Sequence, residues 1–186
     1  MCPITVRQAR YEDRFALARL LINATTGAFR GRVPDRCLNF TVEESATNWG
    51  RNFEEGGFPA GEYLFVAEVA GLDVVGLALA GRPSTEGVTD AEIARAYPRE
   101  LVSLQVDPAW QRRGVGRKLV AVVAETLAQE GEATLLVRVL AENPNRVFYE
   151  RLGGRFAGSQ PHNWEGHHTE ELIYVWDDIQ VLCTSC

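Results

Sequence analysis

Leu104-Gln105-Val106-Asp107-Pro108-Ala109-Trp110-Gln111-Arg112-Arg113-Gly114-Val115-Gly116-Arg117-Lys118 is the stretch on which the fold turns. Glu100 to Val106 reads as a strand. Asp107-Pro108 ends it, because proline lacks a ladder donor and pushes the residue before it to extended geometry. After Gly116 a helix follows, with Leu119, Val122, Val123 and Leu127 at helical spacing and a stop at Gly131. Thr134 to Leu140 is a nearly continuous apolar run, as expected of a strand covered on both faces. Together these form a parallel βαβ unit, with a ligand expected at the carboxyl end of its first strand. The helix start there leaves N–H groups unpaired at the positive end of the helix dipole. Gly114 and Gly116 carry no Cβ, so a bulky anion can approach the backbone. Arg112, Arg113, Arg117 and Lys118 surround them with positive charge against the single nearby Asp107. A solvated basic turn would explain the charge but not the agreement of glycines and register. Nucleotide loops of the common kinds fit poorly. A Walker loop needs Ser or Thr after its lysine, whereas Leu119 follows Lys118. A Rossmann loop needs GxGxxG, and only Gly114-x-Gly116 is present.

Outward from this unit, Ile4 to Arg7 reads as a short strand, and an amphipathic helix from Tyr11 carries Phe15, Leu17, Ala18, Leu21 and Ile22. Thr25 to Leu38 reads as irregular, with Gly27, Gly31 and Pro34 as breakers. Thr41 and Glu44 form a capping-box pattern that opens a helix with Ala46, Trp49 and Phe53, ending near Gly56-Gly57. Glu62 to Val69 and Val74 to Ala80 form an antiparallel pair about Gly71. Arg82 to Arg99 is loop-like, with room for a short helix at Asp90 to Ala96. Asn143-Pro144 reads as a helix N-cap followed by proline at the first helical position. That helix runs to Leu152 and stops at Gly153-Gly154. Phe156 to Ser159 and Leu172 to Trp176 read as a closing hairpin whose loop holds His162, His167 and His168. There is no internal repeat and no linker.

The chain has 186 residues and a net charge of −6. At about 150 residues per domain this is one domain, 1–186, with the last few residues a tail. So acidic a chain is a poor general nucleic-acid binder. No apolar run approaches the roughly 18 residues of a membrane span, and the start lacks a signal-peptide stretch. Cys2, Cys37, Cys183 and Cys186 are a poor disulfide layout, so the cytoplasm is the expected compartment. Cys183-x-x-Cys186 alone lacks the second pair of ligands a zinc site needs, and adjacent His167 and His168 point apart on extended backbone, so no metal is expected.

Two motifs resemble the GCN5-related N-acetyltransferase (GNAT) superfamily. Gln111-Arg112-Arg113-Gly114-Val115-Gly116 is similar to its [Q/R]xxGx[G/A] signature. Asn143 followed by Phe148-Tyr149-Glu150-Arg151-Leu152-Gly153 is similar to its second, an Asn before a short helix ending FYE-[K/R]-LG. The element order matches over almost the whole chain. Phe29 to Asp35, with Leu38 and Trp49, looks like a large bacterial subgroup, while Asn145 stands where many members carry a small residue. The resemblance implies an α/β fold with a central mixed sheet of about six to seven strands and about four flanking helices. It implies acetyl-CoA as co-substrate. Backbone groups of Leu104, Gln105 and Val106 would pair with the pantetheine arm, and the amides from Arg112 to Arg117 would hold the pyrophosphate. Gln111, Arg113, Val115, Lys118, Asn143 and Tyr149 complete the implied cofactor site.

The implied reaction is direct attack of a primary amine, most simply of a small molecule, on the thioester. An alkylammonium, with a pKa near ~10, must first lose a proton. Glu100 is the first candidate base, because alternation places it on one face with Val102, Leu104 and Val106; Glu68 is the second. A backbone N–H between Leu104 and Val106 would stabilise the oxyanion. Tyr149 would share its proton with the leaving thiolate, since full transfer from a phenol to a thiolate is uphill by about 2 kcal/mol. The His-rich loop would face substrate or a second subunit, which allows a homodimer, with Trp164 as lid or anchor. A protein or peptide N-terminal acetyltransferase would need an open groove between the Phe29 to Leu38 loop and the His-rich loop. A non-catalytic acyl-CoA-binding module is the alternative from another class.

Overall fold

The computed structural model describes residues 3–54, 58, 60–70, 73–83 and 91–183. Its strands are β1 (Ile4–Gln8), β2 (Tyr63–Val69), β3 (Val74–Gly81), β4 (Glu100–Val106), β5 (Leu135–Leu140), β6 (Arg155–Trp164) and β7 (His167–Trp176). They form one seven-stranded mixed sheet in the order β1-β2-β3-β4-β5-β7-β6. The helices are α1 (Arg14–Phe29), α2 (Val42–Glu54), α3 (Ala91–Ala96), α4 (Val115–Gln129) and α5 (Val147–Arg151). Buried Leu119, Val123 and Leu127 of α4 pack on Ala78, Leu101, Leu135 and Val137 of one sheet face. On the other face Leu17 and Leu20 of α1 pack on Leu64, Val66 and Leu77. No helix among the described residues is long and apolar enough to cross a membrane.

The feature that makes room for a ligand is at the centre of the sheet. β4 and β5 are parallel neighbours that share a single register pair, Glu100 with Leu136, backed by Leu136 N–H donating to Arg99 C=O at 2.9 Å. Beyond that branch point the facing edges are free of mutual ladder bonds, so Leu104 to Val106 keep backbone groups available.

The structure corrects several sequence expectations. α1 continues through Thr25 to Phe29, so Gly27 lies inside it rather than breaking it. A Cβ on Gly27 would meet Pro108 Cγ at 3.0 Å, which shows why a small residue sits there: α1 crosses the turn after β4 at close range. The His-rich segment is strand, not loop. β6 and β7 meet in a two-residue turn at Glu165-Gly166, both with positive φ (48° and 74°), the geometry of a tight hairpin turn. α5 begins at Val147, later than expected, and Asn143 does not cap it. Asn143 Oδ1 instead accepts from Asn145 N–H at 2.9 Å, an Asx-turn that fills the gap left by Pro144. In β4 the register against β3 jumps from Leu79–Ser103 to Ala80–Leu101, leaving Val102 as a bulged residue, 45% exposed. The bulge reverses the alternation, so Glu100 shares a face with Ser103 and Gln105, not with Leu104 and Val106. The expectations at Gly56-Gly57, Gly71, Asp90, Cys2 and Cys186 lie outside the described residues.

Candidate active site

An open cleft of about 650 Å³ lies at the β4–β5 divergence. One wall is Leu104, Gln105 and Val106 of β4, continuing into Trp110, Gln111, Arg112, Gly114, Val115, Gly116 and Arg117. The opposite wall is Asn143, Pro144 and Asn145, with Phe148 and Tyr149 of α5, and Ala24, Ala28 and Phe29 of α1 close one side.

The turn between β4 and α4 leads into the N-terminus of α4. Asp107 accepts from Ala109 N–H at 2.9 Å and starts a short 3₁₀ turn at Pro108–Trp110. Gln111 Nε2 reaches back to Val106 C=O at 3.3 Å. Arg112 and Gly114 both have left-handed backbone, φ 62° and 84°, and Gly114 is the N-cap of α4. Left-handed Gly114 followed by helical Val115 turns successive N–H groups toward one concave side, a backbone nest set at a helix N-terminus. A Cβ on Gly114 would have open space around it, so glycine there answers to φ rather than crowding. A Cβ on Gly116 would come within 3.3 Å of Phe148 Cζ, so this glycine lets α5 approach α4.

Of the thirteen residues that the family resemblance implies for the cofactor, eleven line the cleft; Arg113 and Lys118 do not. The Arg113 guanidinium lies over the Trp110 ring, 4.8 Å from its centroid. Lys118 Nζ donates to Ile4 C=O at 3.2 Å, across to β1. Tyr149 is 7% exposed and packs edge-on against Phe148 and Trp176. Its hydroxyl has no hydrogen-bond partner among the described residues, and burial pushes its pKa well above the ordinary phenol range. It therefore stays a neutral donor. Glu100 is outside the cleft lining and 3% exposed; Arg138 Nε and Nη2 each donate to one of its oxygens at 2.9 Å. Glu68, on β2, accepts from Arg7 Nε at 2.9 Å, far along the sheet from the cleft. Ala24, Ala28 and Phe29 enter the lining only through the tertiary crossing of α1 over β4 and its turn, whereas Pro144, Val147 and Arg151 come with the Asn143–Tyr149 segment that the sequence already marks.

The segment after α1 meets the β6–β7 hairpin. The Phe29 and Trp164 rings contact edge-to-face, with centroids 5.3 Å apart. Cys37 Sγ donates to Trp164 C=O at 3.2 Å, and Arg36 Nε to Glu165 C=O at 2.7 Å. His167 Nε2 and Thr169 Oγ1 contact the Glu142 carboxylate beside Asn143, and among the described residues no three His, Cys, Asp or Glu side chains converge as a metal site would require.

The family model of FR47-like proteins matches residues 79–164. Over 97% of both chains the protein is 27% identical to the uncharacterized N-acetyltransferase YuaI of Bacillus subtilis. A shorter stretch of 54 residues, 28% of this chain and 36% of the other, is 41% identical to the ribosomal protein bS18 alanine N-acetyltransferase of Escherichia coli. Among solved structures, a putative GNAT-family acetyltransferase from Desulfovibrio desulfuricans superposes with a TM-score of 0.67 at 20% identity, covering 95% of this chain and 99% of that one. The yncA putative acetyltransferase of Salmonella typhimurium, solved with acetyl-CoA, superposes with a TM-score of 0.63 at 18% identity, covering 94% and 93%.

Proposed function

We propose that the chain is a GCN5-related N-acetyltransferase, which transfers an acetyl group from acetyl-CoA to the primary amine of a small molecule by direct attack in a ternary complex. The match to the FR47-like model and the likeness to YuaI support this reading. The observation that carries this reading is the cleft itself: diverging strands, a backbone nest at one end and a buried neutral tyrosine in its wall. In this reading the nest from Arg112 to Arg117 holds the pyrophosphate. The free edge of Leu104 to Val106 pairs with the pantetheine amides, and Asn143 bonds it from the far wall. When bound, acetyl-CoA supplies the activated thioester. The amine nitrogen forms the new N–C bond, a backbone N–H of β4 stabilises the oxyanion, and the C–S bond then breaks. Tyr149 donates a hydrogen bond to the departing sulfur. Glu100 stands at the branch point with both oxygens clamped by Arg138, so its part in removing the amine proton runs through water.

The contacts among Phe29, Arg36, Cys37, Trp164 and Glu165 support a small acceptor over a polypeptide one, because they bridge the gap where a peptide would have to lie. A panel of primary amines incubated with acetyl-CoA and assayed for free thiol tests the reading. Release of CoA with at least one small amine is expected. Acetylation of peptide N-termini alone would move the assignment to a protein acetyltransferase. Acetyl-CoA binding with no acceptor at all would make the protein a binding module.

A further inference from the structure

α5 carries Tyr149 into the cleft wall, yet it is too short to hold its own position. It has five residues, Val147–Arg151, and an isolated helix of that length is unstable in water. What fixes it is β7. Tyr174 and Trp176, alternate residues of that strand, share the face that α5 covers. Both are buried, and both pair with β5, Tyr174 with Val137 and Trp176 with Leu135. Each sends one hydrogen bond to the end of α5. The Tyr174 hydroxyl donates to Glu150 Oε1 at 2.8 Å, and Trp176 Nε1 donates to Leu152 C=O at 3.0 Å. Gly154 permits the close approach, since a Cβ there would meet both Trp176 Cζ2 and the Tyr149 carbonyl oxygen at 2.9 Å. The Tyr149 ring packs on the same two side chains, nearly parallel to Tyr174 at 6.3 Å (25°) and inclined to Trp176 at 6.5 Å (68°). Its hydroxyl has no partner among the described residues, so its direction is set from the ring and the helix behind it.

We propose that the Tyr174–Glu150 pair is a positioning device, which holds the Tyr149 hydroxyl in line with the sulfur of coenzyme A. The proposal rests on the reading of Tyr149 as donor to the departing sulfur. Neither Tyr174 nor Glu150 lines the cleft, so both act through Tyr149. A hydrogen bond weakens steeply as its angle closes, and a misplacement of about 1 Å at a reacting centre can cost roughly 10²-fold in rate. A hydroxyl carried on so short a helix therefore depends on the strand that anchors the helix.

The thiol of coenzyme A reads the position of the hydroxyl without need of an acceptor. A hydrogen bond to the thiolate favours the charged form and so raises the acid dissociation constant of the bound thiol. That constant is measured on the full chain saturated with coenzyme A, from thiolate ultraviolet absorbance over a pH series, with the desulfo-coenzyme A complex as blank. Tyr149→Phe should lower it roughly tenfold, the scale of one hydrogen bond to a charged group. Tyr174→Phe and Glu150→Ala should each lower it about threefold, a bond weakened rather than lost, with calorimetric affinity for coenzyme A little changed. Neither should lower it further in a Tyr149→Phe background. Glu150→Gln keeps an oxygen for the Tyr174 hydroxyl and should recover most of the loss. Removing the Glu150 charge alone would act the other way, since a nearby carboxylate disfavours a thiolate. Glu150 is exposed, so its variants carry the test if Tyr174→Phe does not fold in a thermal melt. Wild-type constants in folded Tyr174→Phe and Glu150→Ala, beside a lowered one in Tyr149→Phe, would overturn the proposal and leave the role of Tyr149 standing. So would losses that persist in the Tyr149→Phe background, or a Glu150→Gln loss equal to that of Glu150→Ala. An unchanged constant in Tyr149→Phe would overturn both, and absence of coenzyme A binding would overturn the cofactor reading with them.

Discussion

Tyr149 and Gly114 carry opposite kinds of constraint. Tyr149 is held by burial, which keeps its phenol neutral; it can donate a hydrogen bond to a departing sulfur but cannot serve as a base. Tyr149→Phe retains the ring and should lower kcat by roughly 10²-fold, the usual scale for a positioned acid, with acetyl-CoA affinity little changed. Stopped assays with a working amine and calorimetry on the same sample check both halves; wild-type turnover would remove Tyr149 from the mechanism. Burial also gives a pH signature. Because the folded pKa is raised above the unfolded value of about 10, the native state is fully favoured below that pH and loses stability as pH rises past it. Denaturant melts between pH 9 and 11, values chosen to bracket about pH 10, should therefore show wild type weakening relative to Tyr149→Phe. Gly114 is held by its backbone, φ 84°, with no crowding around it. Gly114→Val should weaken acetyl-CoA binding through a distorted nest and cost about 1–2 kcal/mol in stability, with the circular dichroism spectrum nearly unchanged. Unaltered affinity would place the anion site elsewhere.

Elements were legible where pattern and chemistry agreed. The βαβ unit was readable because Asp107-Pro108, the glycines and the apolar face of α4 all mark the same boundaries. The Thr41 cap was readable too: Thr41 Oγ1 accepts from Glu44 N–H at 3.2 Å. Three features were hidden, each because its cause lies across the fold. Gly27 signals a helix break locally, whereas its reason is Pro108 on the other side of a contact. The polar run from Gln160 to Glu171 conceals two strands, because its alternation separates a half-covered face from a solvated one with polar residues on both. The β4 bulge at Val102 has no composition of its own, yet it decides which face Glu100 occupies. Gly27→Val tests the first of these. Its added methyls fall on Pro108, so unfolding in urea should show a loss of about 1–3 kcal/mol, the range for overpacking. Acetyl-CoA affinity should fall with it, since Ala24, Ala28 and Phe29 line the cleft. An unchanged midpoint would show that α1 does not bear on the β4 turn.

At the scale of the whole molecule, the sheet does two jobs with one defect. Antiparallel pairing from β1 to β4 and from β5 through β7 to β6 builds two rigid halves, and a single register pair joins them. The cleft is what remains between the halves, with α4 behind it and the contact from Phe29 and Cys37 to Trp164 beside it. We propose this cleft as the acetyl-CoA site. Calorimetric titration of the full chain with acetyl-CoA tests it most directly, with ATP and NAD as controls. One acetyl-CoA site per chain is expected, with a melting temperature that rises with acetyl-CoA concentration by mass action and no effect of the other two. No binding of acetyl-CoA at millimolar concentration would contradict it.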